Sequence, residues 1–301
     1  MSKTLELNDG SFRGRLLDNV ANAERQGSGF YPLCHQSWPD QNLFRDDAVG
    51  LNFEHIMNGT ADDAGRSMFT PRMDRCLLER HGPGDASIHH PATESSWGIE
   101  SQMRYCLGLD CVDMEFTARL TDVSCARLGY VAFMWASYMN RTCSRQIHFY
   151  GSCEGEQGWT SFGEDFQGGG FETGTVAHAS VDPLPYEEGA QILNVVEDSR
   201  KRFLLPFYYG LTHGDGDLSS ADPMAYVMMF DQEAPIRFAM WNFFRDESGA
   251  PDPHSPAWDW QFVIRDPAVD QTYGYRARLL YRPFRDPESV RDAYEEWAAE
   301  L

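Results

Sequence analysis

Residues 112–120 alternate strictly between apolar and polar side chains. The apolar residues occupy the even positions and the polar residues the odd positions. A period of two is typical of a β-strand with one buried face, because successive side chains leave opposite faces of a sheet. The segment therefore predicts a half-buried strand and directs attention to β-rich folds.

Other segments along much of the chain also have patterns that are typical of β-strands. Residues 130–139 are almost continuously apolar, which predicts a central strand covered on both faces. The four segments from residue 97 to residue 150 are joined by short links, which predicts an antiparallel meander. Strands are predicted at residues 51–56, 97–105, 112–120, 130–139, 146–150, 191–196, 202–209, 225–231, 236–244, 258–264 and 273–281.

Three other segments complete the expected organisation. Residues 1–95 predict an irregular N-terminal wrap, with a short helix at residues 12–25. Residues 151–190, rich in Gly and acidic residues, are too long for an ordinary hairpin loop, so we expect a mobile flap or a functional excursion. Asp286 followed by Pro287 predicts the start of a C-terminal helix.

These elements together predict an all-β fold. We expect a single antiparallel β-sandwich domain over residues 1–301, of the supersandwich or jelly-roll type, with its core at residues 96–285. The C-terminal helix at residues 286–301 is expected to pack on the back of a sheet. The chain shows no internal repeat and no domain linker.

Charge and cysteine usage exclude several classes of protein. The chain has 25 basic and 46 acidic residues and a net charge of −21, which disfavours binding to nucleic acid or to an anionic membrane. No apolar window approaches the ~18 residues of a membrane span. The N-terminus lacks a secretion-signal pattern, and the seven cysteines lack paired metal spacing. We therefore expect a cytoplasmic globular protein with free thiols.

The second faces of the predicted strands carry planar hydrogen-bonding groups. Amide, carboxylate and guanidinium groups bond adjacent sugar hydroxyls in pairs, and aromatic rings stack on sugar C–H patches. The sequence thus predicts a face or cleft that binds carbohydrate. An ordinary solvated sheet, with Arg bridging Glu and Asp across strands, is the alternative. The predicted substrate-binding residues are His90, Trp97, Gln102, Arg104, Trp241, Trp258, Gln261 and Arg276.

Three carboxyl groups lie beside tryptophans and are candidates for glycoside cleavage, namely Glu94, Glu100 and Asp259. Two carboxyl groups must flank the scissile bond, and nearby apolar surface raises the pKa of the one that acts as the acid. Lyase or epimerase chemistry instead needs a base near neutrality and an acid opposite it. His148 and Tyr150, two residues apart on one strand face, are candidates for that pair.

A metal site is a weaker possibility. Residues 213–217 form a Gly- and Asp-rich turn that could hold calcium, although the twelve-residue calcium-loop pattern is missing. Four histidines could gather into a zinc or iron site, although their spacing gives no support: His55, His89, His90 and His148. Glu54 and His55, near the end of a strand, could join a site. No cofactor is predicted, and a divalent metal is the alternative.

Three runs resemble the bacterial β-sandwiches of carbohydrate metabolism, in particular the galactose-mutarotase-like supersandwich. They are Tyr-Val-Ala-Phe-Met-Trp-Ala-Ser-Tyr-Met-Asn at residues 130–140, Ile-His-Phe-Tyr-Gly at residues 147–151, and Pro-Ala-Trp-Asp-Trp-Gln-Phe-Val-Ile at residues 256–264. The resemblance covers residues 95–285 and consists of strand pattern and aromatic content. Such folds occur in aldose epimerases, polysaccharide lyases and parts of glycoside hydrolases, so it implies a carbohydrate-active protein without transferring a catalytic residue.

The leading prediction is a carbohydrate-active enzyme that uses general acid–base chemistry on a glycoside or sugar derivative, as a hydrolase or lyase does. One alternative is a non-catalytic sugar-binding or assembly protein. A second is a sugar epimerase, or a metal-dependent enzyme that uses the His-rich loop at residues 89–100. The expected partner is a carbohydrate, with no nucleic acid and no membrane, and we expect a homo-oligomer.

Overall fold

The computed structural model describes residues 4–20, 27–61, 65–165, 170–172, 174–190, 196–214, 222–241 and 256–301. Strands dominate this part of the chain. In order the strands are β1 (Thr4–Asp9), β2 (Phe12–Leu17), β3 (Gly29–His35), β4 (Asn52–Met57), β5 (Leu77–Arg80), β6 (Asp85–His90), β7 (Ile99–Leu107), β8 (Cys111–Leu120), β9 (Tyr130–Ala136), β10 (Gln146–Cys153), β11 (Glu156–Asp165), β12 (Gly170–Phe171), β13 (Thr175–His178), β14 (Asp198–Phe203), β15 (Phe207–Thr212), β16 (Met224–Phe230), β17 (Ile236–Trp241), β18 (Ala257–Arg265) and β19 (Thr272–Pro283). The helices are α1 (Thr70–Met73) and α2 (Pro287–Ala298), and a 3₁₀ turn spans Ala92–Glu94.

The strands form one small sheet and one large one. The small sheet has the order β1-β2-β3, and the large sheet runs β4-β9-β18-β17-β13-β14-β10-β15-β16-β19-β8-β7-β6-β5. Its pairs are antiparallel except β13 with β14, which is parallel. We call the part from β4 to β10 the first layer and the part from β15 to β5 the second layer.

The two layers face each other across an aromatic core, so the large sheet is folded into a β-sandwich. Phe116 of β8 lies 4.7 Å from Trp135 of β9, measured between ring centroids. Phe230 of β16 lies 5.9 Å from Trp260 of β18. Large rings fill the space between layers because each buries a large apolar surface. The prediction of an all-β antiparallel sandwich is confirmed.

The C-terminal helix is confirmed at its predicted start. The Asp286 carboxylate accepts a hydrogen bond from the Ser289 backbone N–H at 2.8 Å, and Pro287 occupies the first turn. This arrangement satisfies an amide that would otherwise lack a partner. Val290 and Trp297 pack with Phe207 and Tyr209 on the outer side of the sheet. No helix in the described residues is long and apolar enough to cross a membrane.

The N-terminal region departs from the prediction. The predicted helix at residues 12–25 is wrong, because residues 12–17 form β2 and pair with β1 and β3. Arg13 and Arg15 are exposed while Phe12 and Leu16 are buried, which is a period of two. Residues 21–26 lie outside the described part of the chain. The expected irregular wrap instead contains six strands.

The predicted meander holds for β7 and β8, which pair with each other, and fails after them. β9 pairs with β4 and β18 in the first layer, so the chain crosses between layers after residue 120. The predicted strand at residues 202–209 is two strands, β14 and β15, with a bend at residues 204–206. Of the predicted strand at residues 191–196 only Val196 is described.

The segment at residues 151–190 opens with regular structure. β10 and β11 form an antiparallel hairpin in which Cys153 faces Glu156 across a two-residue turn. Both turn residues, Glu154 and Gly155, have positive φ, at 51° and 91°. A turn of this kind follows the twist of its flanking strands. The 40-residue segment is therefore not one long loop. It begins with a hairpin, and β12 and β13 follow within it.

Candidate active site

A group of polar side chains is buried on the outer face of the first layer. Each member is no more than 4 % exposed. Burial of polar and charged groups is costly unless they pair with one another, so such a group marks either a site or a structural network. The members, called the polar cluster below, are Asn52, Glu54, His55, Arg237, Asp259 and Gln261.

The strand register brings the polar cluster together. Arg237 of β17 faces Gln261 of β18, and Gln261 faces Met134 of β9. Met134 in turn faces His55 of β4. Residues that are directly opposite on neighbouring strands have their Cβ atoms about 5 Å apart. Four strands thus supply one continuous row of side chains, with Asp259 two residues from Gln261 on the same face.

An irregularity in β4 adds a second side chain to that face. The pairing with β9 shifts between Phe53 and His55, which leaves Glu54 as the extra residue of a β-bulge. Phe53 and Ile56 point into the sandwich core, whereas Glu54 and His55 both join the polar cluster. Bulges re-aim side chains in this way and are common beside active sites.

Glu54 is surrounded by hydrogen-bond donors. Asn52 Nδ2 donates to Glu54 Oε2 at 3.1 Å, and Arg72 Nη1 donates to Glu54 Oε1 at 3.3 Å. Arg72 comes from α1 and lies over the Phe69 ring at 5.3 Å. Both oxygens of the Glu54 carboxyl group therefore accept hydrogen bonds, and one of the donors is a cation.

The surroundings of Asp259 shift the pKa of its carboxyl group. Burial raises its pKa well above its usual range, the nearby charge of Glu54 adds to the rise, and a hydrogen bond from the Ser137 backbone N–H opposes it. That N–H donates to Asp259 Oδ1 at 3.2 Å. Asp259 thus favours the protonated form. The cluster thus holds two carboxyl groups in different surroundings: Asp259 with a raised pKa, and Glu54 with hydrogen bonds from an amide and a guanidinium group.

His55 is the third titratable member of the cluster. Burial lowers the pKa of its imidazole to about 4, and the neighbouring charge of Glu54 only partly opposes the shift. The Phe69 ring packs on it in an edge-to-face contact at 4.9 Å. His55 is therefore neutral at physiological pH and can donate one hydrogen bond and accept another.

Three predicted site residues lie on this face. Asp259 and Gln261 belong to the polar cluster, and Trp241 lies at the end of β17 beside Tyr138 and Ala257. Trp258 does not lie there. It is fully buried on the inner face of β18, 5.3 Å from the Tyr226 ring, with the strand between it and Asp259. The strand therefore separates Trp258 from the polar cluster, and its predicted place in a pocket wall stays a prediction.

Four other predicted residues lie on the outer face of the second layer, where most form cross-strand ion pairs. Arg104 binds Asp85 through two hydrogen bonds of 2.9 and 2.5 Å. Such cross-strand ion pairs are the feature expected of an ordinary solvated sheet, the alternative to a sugar-binding face. The four residues are Glu100, which pairs with Arg119 and His89; Gln102; Arg104; and Arg276, which pairs with Asp231.

The remaining predicted residues are scattered. Glu94 is exposed in the 3₁₀ turn. His148 stacks on Tyr209 at 5.0 Å, and burial lowers its pKa to about 4. Tyr150 packs against Trp159 near α2. His90 is buried against Phe53, and Trp97 Nε1 donates to the Ser67 carbonyl. The structure does not gather these residues around Asp259, and their catalytic or binding roles stay predictions.

The search for other kinds of site covers the described residues only. Among them, no group of three or more His, Cys, Asp or Glu side chains could hold a metal ion. Residues 215–217 of the proposed calcium turn lie outside that part of the chain. A cavity of about 390 Å³ lies between the second layer and the end of α2, lined in part by Arg276, Arg278 and Trp297. It does not include the polar cluster.

Sequence reasoning gave Asp259 and Gln261 their correct face and missed most of their neighbours. Glu54 and His55 were noted as possible members of a site, whereas Asn52, Arg72 and Arg237 were not. Alternation along β18 was the signal for Asp259 and Gln261. No signal in a single sequence links Arg72, from a four-residue helix, to a strand eighteen positions earlier.

Neither a protein-family model nor a curated protein sequence matches the chain. Solved structures similar to it include an Escherichia coli K12 protein provisionally described as an aldose 1-epimerase, with 10% identity, 93% of this chain and 99% of that chain covered, and a TM-score of 0.48. The GH36 α-galactosidase AgaB from Geobacillus stearothermophilus is 9% identical, with a TM-score of 0.47; the match covers 93% of this chain and 40% of AgaB. Similarity at this level does not identify corresponding residues.

Proposed function

We propose that the chain is a carbohydrate-active enzyme in which Asp259 and Glu54 act as an acid and a base. The single observation that carries this proposal is the carboxyl pair on one sheet face with opposed surroundings. Two neighbouring carboxyl groups in different surroundings can supply both roles of acid–base catalysis, and the raised pKa of Asp259 suits the role of the acid. Asp259 would give a proton to a sugar oxygen, and Glu54 would take one from a hydroxyl group.

The neighbours of the pair support a sugar as the substrate. Asn52 and Gln261 carry amide groups that can both donate and accept, as the neutral imidazole of His55 can. Sugar hydroxyls need both kinds of partner. Trp241 adds an aromatic surface at the edge of the cluster, which suits the apolar C–H patch of a sugar ring. The resemblance of the sequence to galactose-mutarotase-like proteins also supports a sugar substrate.

Which substrate the protein turns over will identify the type of reaction. Epimerisation of a free aldose needs proton transfer at the ring oxygen and at the anomeric hydroxyl. Hydrolysis of a glycoside needs protonation of the leaving oxygen, with a carboxylate acting on the anomeric carbon or on water. Both use an acid and a base across one sugar ring, so the assay must include both substrate classes.

The test is an activity screen with matched variants. Interconversion of aldose anomers is followed by exchange NMR, glycoside hydrolysis by release of 4-nitrophenol, and elimination by ultraviolet absorbance of the product. Asp259→Asn and Glu54→Gln should each lower kcat by about 100-fold or more, the usual contribution of a general acid or base. Glu79→Gln, which changes an exposed carboxyl group on β5, is the control and should retain activity.

A sugar-binding protein without turnover is the second candidate. The nearly complete burial of both carboxyl groups favours it, because the pair could then serve only as a structural network. It predicts that sugars raise the melting temperature while no assay shows product. Activity that is unchanged in both Asp259→Asn and Glu54→Gln would exclude the acid–base role of the pair.

A further inference from the structure

We propose that Ser137 is a positioning residue that sets the separation and electrostatic coupling of Glu54 and Asp259. The proposal rests on the proposed function for its catalytic consequence and on the contacts of Ser137 for its geometry. Ser137 immediately follows β9, the strand between β4 and β18, and it is completely buried. It therefore lies between the two strands that carry the carboxyl groups.

Two backbone atoms of Ser137 hold β18. Its N–H donates to Asp259 Oδ1 at 3.2 Å, and its carbonyl oxygen accepts from the Trp258 N–H at 2.9 Å. The first contact orients the carboxyl group itself. The second fixes the backbone of the preceding residue. Ser137 thus determines both the position of this part of β18 and the direction of the Asp259 side chain.

The hydroxyl group of Ser137 holds the other strand. Its Oγ accepts a hydrogen bond from the Leu51 N–H at 2.9 Å. Leu51 immediately precedes β4, in which Asn52 and Glu54 follow. One residue therefore contacts the start of the strand that carries Glu54 and the side chain of Asp259. The hydroxyl is the part of this connection that a substitution can remove while the backbone contacts remain.

The conformation of Leu51 shows that its position is strongly constrained. Its φ is 49°, in the left-handed region that a leucine rarely adopts. The Leu51 carbonyl oxygen accepts a hydrogen bond from the Tyr105 hydroxyl at 2.8 Å. Both backbone polar groups of Leu51 are thus held by side chains distant in sequence, those of Ser137 and Tyr105. Unfavourable backbone conformations persist where surrounding contacts over-determine them, often beside functional sites.

Loss of the Ser137 hydroxyl should weaken the link between the carboxyl groups. In Ser137→Ala the Leu51 N–H loses its acceptor, so the start of β4 loses one of the contacts that fix it while Asp259 keeps its own contact. The charge of Glu54 then acts less strongly on Asp259. A displacement of about 1 Å in a catalytic group can cost about 100-fold in rate, so we expect kcat to fall by about tenfold, with KM changed less than twofold.

The experiment measures the coupling directly. The Asp259 carboxyl is titrated by ¹³C NMR in the full-length protein and in Glu54→Gln, in the presence and absence of Ser137→Ala. Glu54→Gln should lower the pKa of Asp259 in the otherwise unchanged protein, and this effect should fall to less than half when Ser137 is alanine. Ser87→Ala is the control, because Ser87 is equally buried and its hydroxyl bonds His81 in the second layer.

Tyr105→Phe provides a second, independent variant, since it removes the other hydrogen bond to Leu51. It should also weaken the coupling, even if Ser137→Ala fails to fold. An unchanged effect of Glu54→Gln in both backgrounds overturns the positioning role. If coupling behaves as expected and no sugar is turned over, the proposed function fails while the positioning role stands.

Discussion

His55 Nε2 lies 3.8 Å from Glu54 Oε1, although the two residues are neighbours along β4. In a regular strand they would point to opposite faces. The bulge at Glu54 places both on the outer face of the first layer, where Asp259 already lies. Two carboxyl groups and an imidazole are thereby brought onto one surface, where Arg72 contacts Glu54.

Removal of the Arg72 guanidinium should destabilise the protein because it leaves Glu54 buried without its cation. Arg72→Met is expected to lower the free energy of unfolding by about 3 kcal/mol, the usual cost of breaking a buried pair from one side. Glu54→Gln removes the charge that is left unpaired, so the double variant should recover part of the loss. Urea unfolding of the four proteins in a double-mutant cycle measures this coupling, and strictly additive losses would contradict it.

Asp259→Asn should change how stability depends on pH. Because the pKa of Asp259 is raised in the folded state, its contribution is fully present below the pKa of an unfolded Asp and is lost as pH rises through the folded value. The asparagine variant lacks this loss. Its melting temperature relative to the unsubstituted protein should therefore increase from pH 4 to pH 8. Asp85→Asn, at a carboxyl group whose pKa is lowered by its hydrogen bond from Arg104, should show no such increase.

Alternation predicted the sandwich well, because the two faces of a strand are visible in sequence wherever one of them is buried. It correctly separated Asp259 and Gln261 from the core side of β18. The same rule placed Trp258 on the opposite face, but because both faces of that strand are buried, alternation does not say which face holds a site. Burial also alternates at residues 12–16, but Gly14 leaves one buried position without an apolar side chain, so the sequence pattern predicted a helix instead.

The rest of the polar cluster depends on features that alternation does not contain. The bulge at Glu54 is a property of how β4 pairs with β9, and no turn residue or glycine marks it. Arg72 reaches Glu54 from α1 through the tertiary fold. The second layer illustrates the converse: the planar side chains of Glu100 and Arg104 suggested a sugar site, whereas the fold pairs them with Arg119 and Asp85.

The buried imidazole of His90 should make the protein acid-sensitive. Burial lowers its pKa to about 4, below the value of 6.5 for an unperturbed histidine. The stability that it contributes is present above pH 6.5 and is lost as pH falls through that value towards 4. At 1.36 kcal/mol per pKa unit the loss is about 3 kcal/mol. Urea unfolding of His90→Gln between pH 7 and pH 4 should show a shallower decline in stability than the unsubstituted protein, and an equally steep decline would contradict this contribution of His90.

The N-cap of α2 should contribute measurably to stability. Asp286→Ala removes the acceptor for the Ser289 N–H and is expected to cost about 1 kcal/mol in the free energy of unfolding. Asp292→Ala, at an exposed position within the same helix, should cost less. Chemical unfolding of both variants provides the comparison, and equal losses would show that the hydrogen bond seen at Asp286 adds nothing.

The outer face of the second layer should prove dispensable for sugar recognition. Gln102→Ala combined with Arg104→Ala removes a planar amide and the guanidinium that pairs with Asp85, yet neither residue belongs to the polar cluster. Ion pairs as exposed as this one contribute no more than about 1 kcal/mol, so the double variant should remain folded. With a sugar that raises the melting temperature of the unsubstituted protein, the same shift should appear in the variant. A lost shift would move the binding site to this face and away from Asp259.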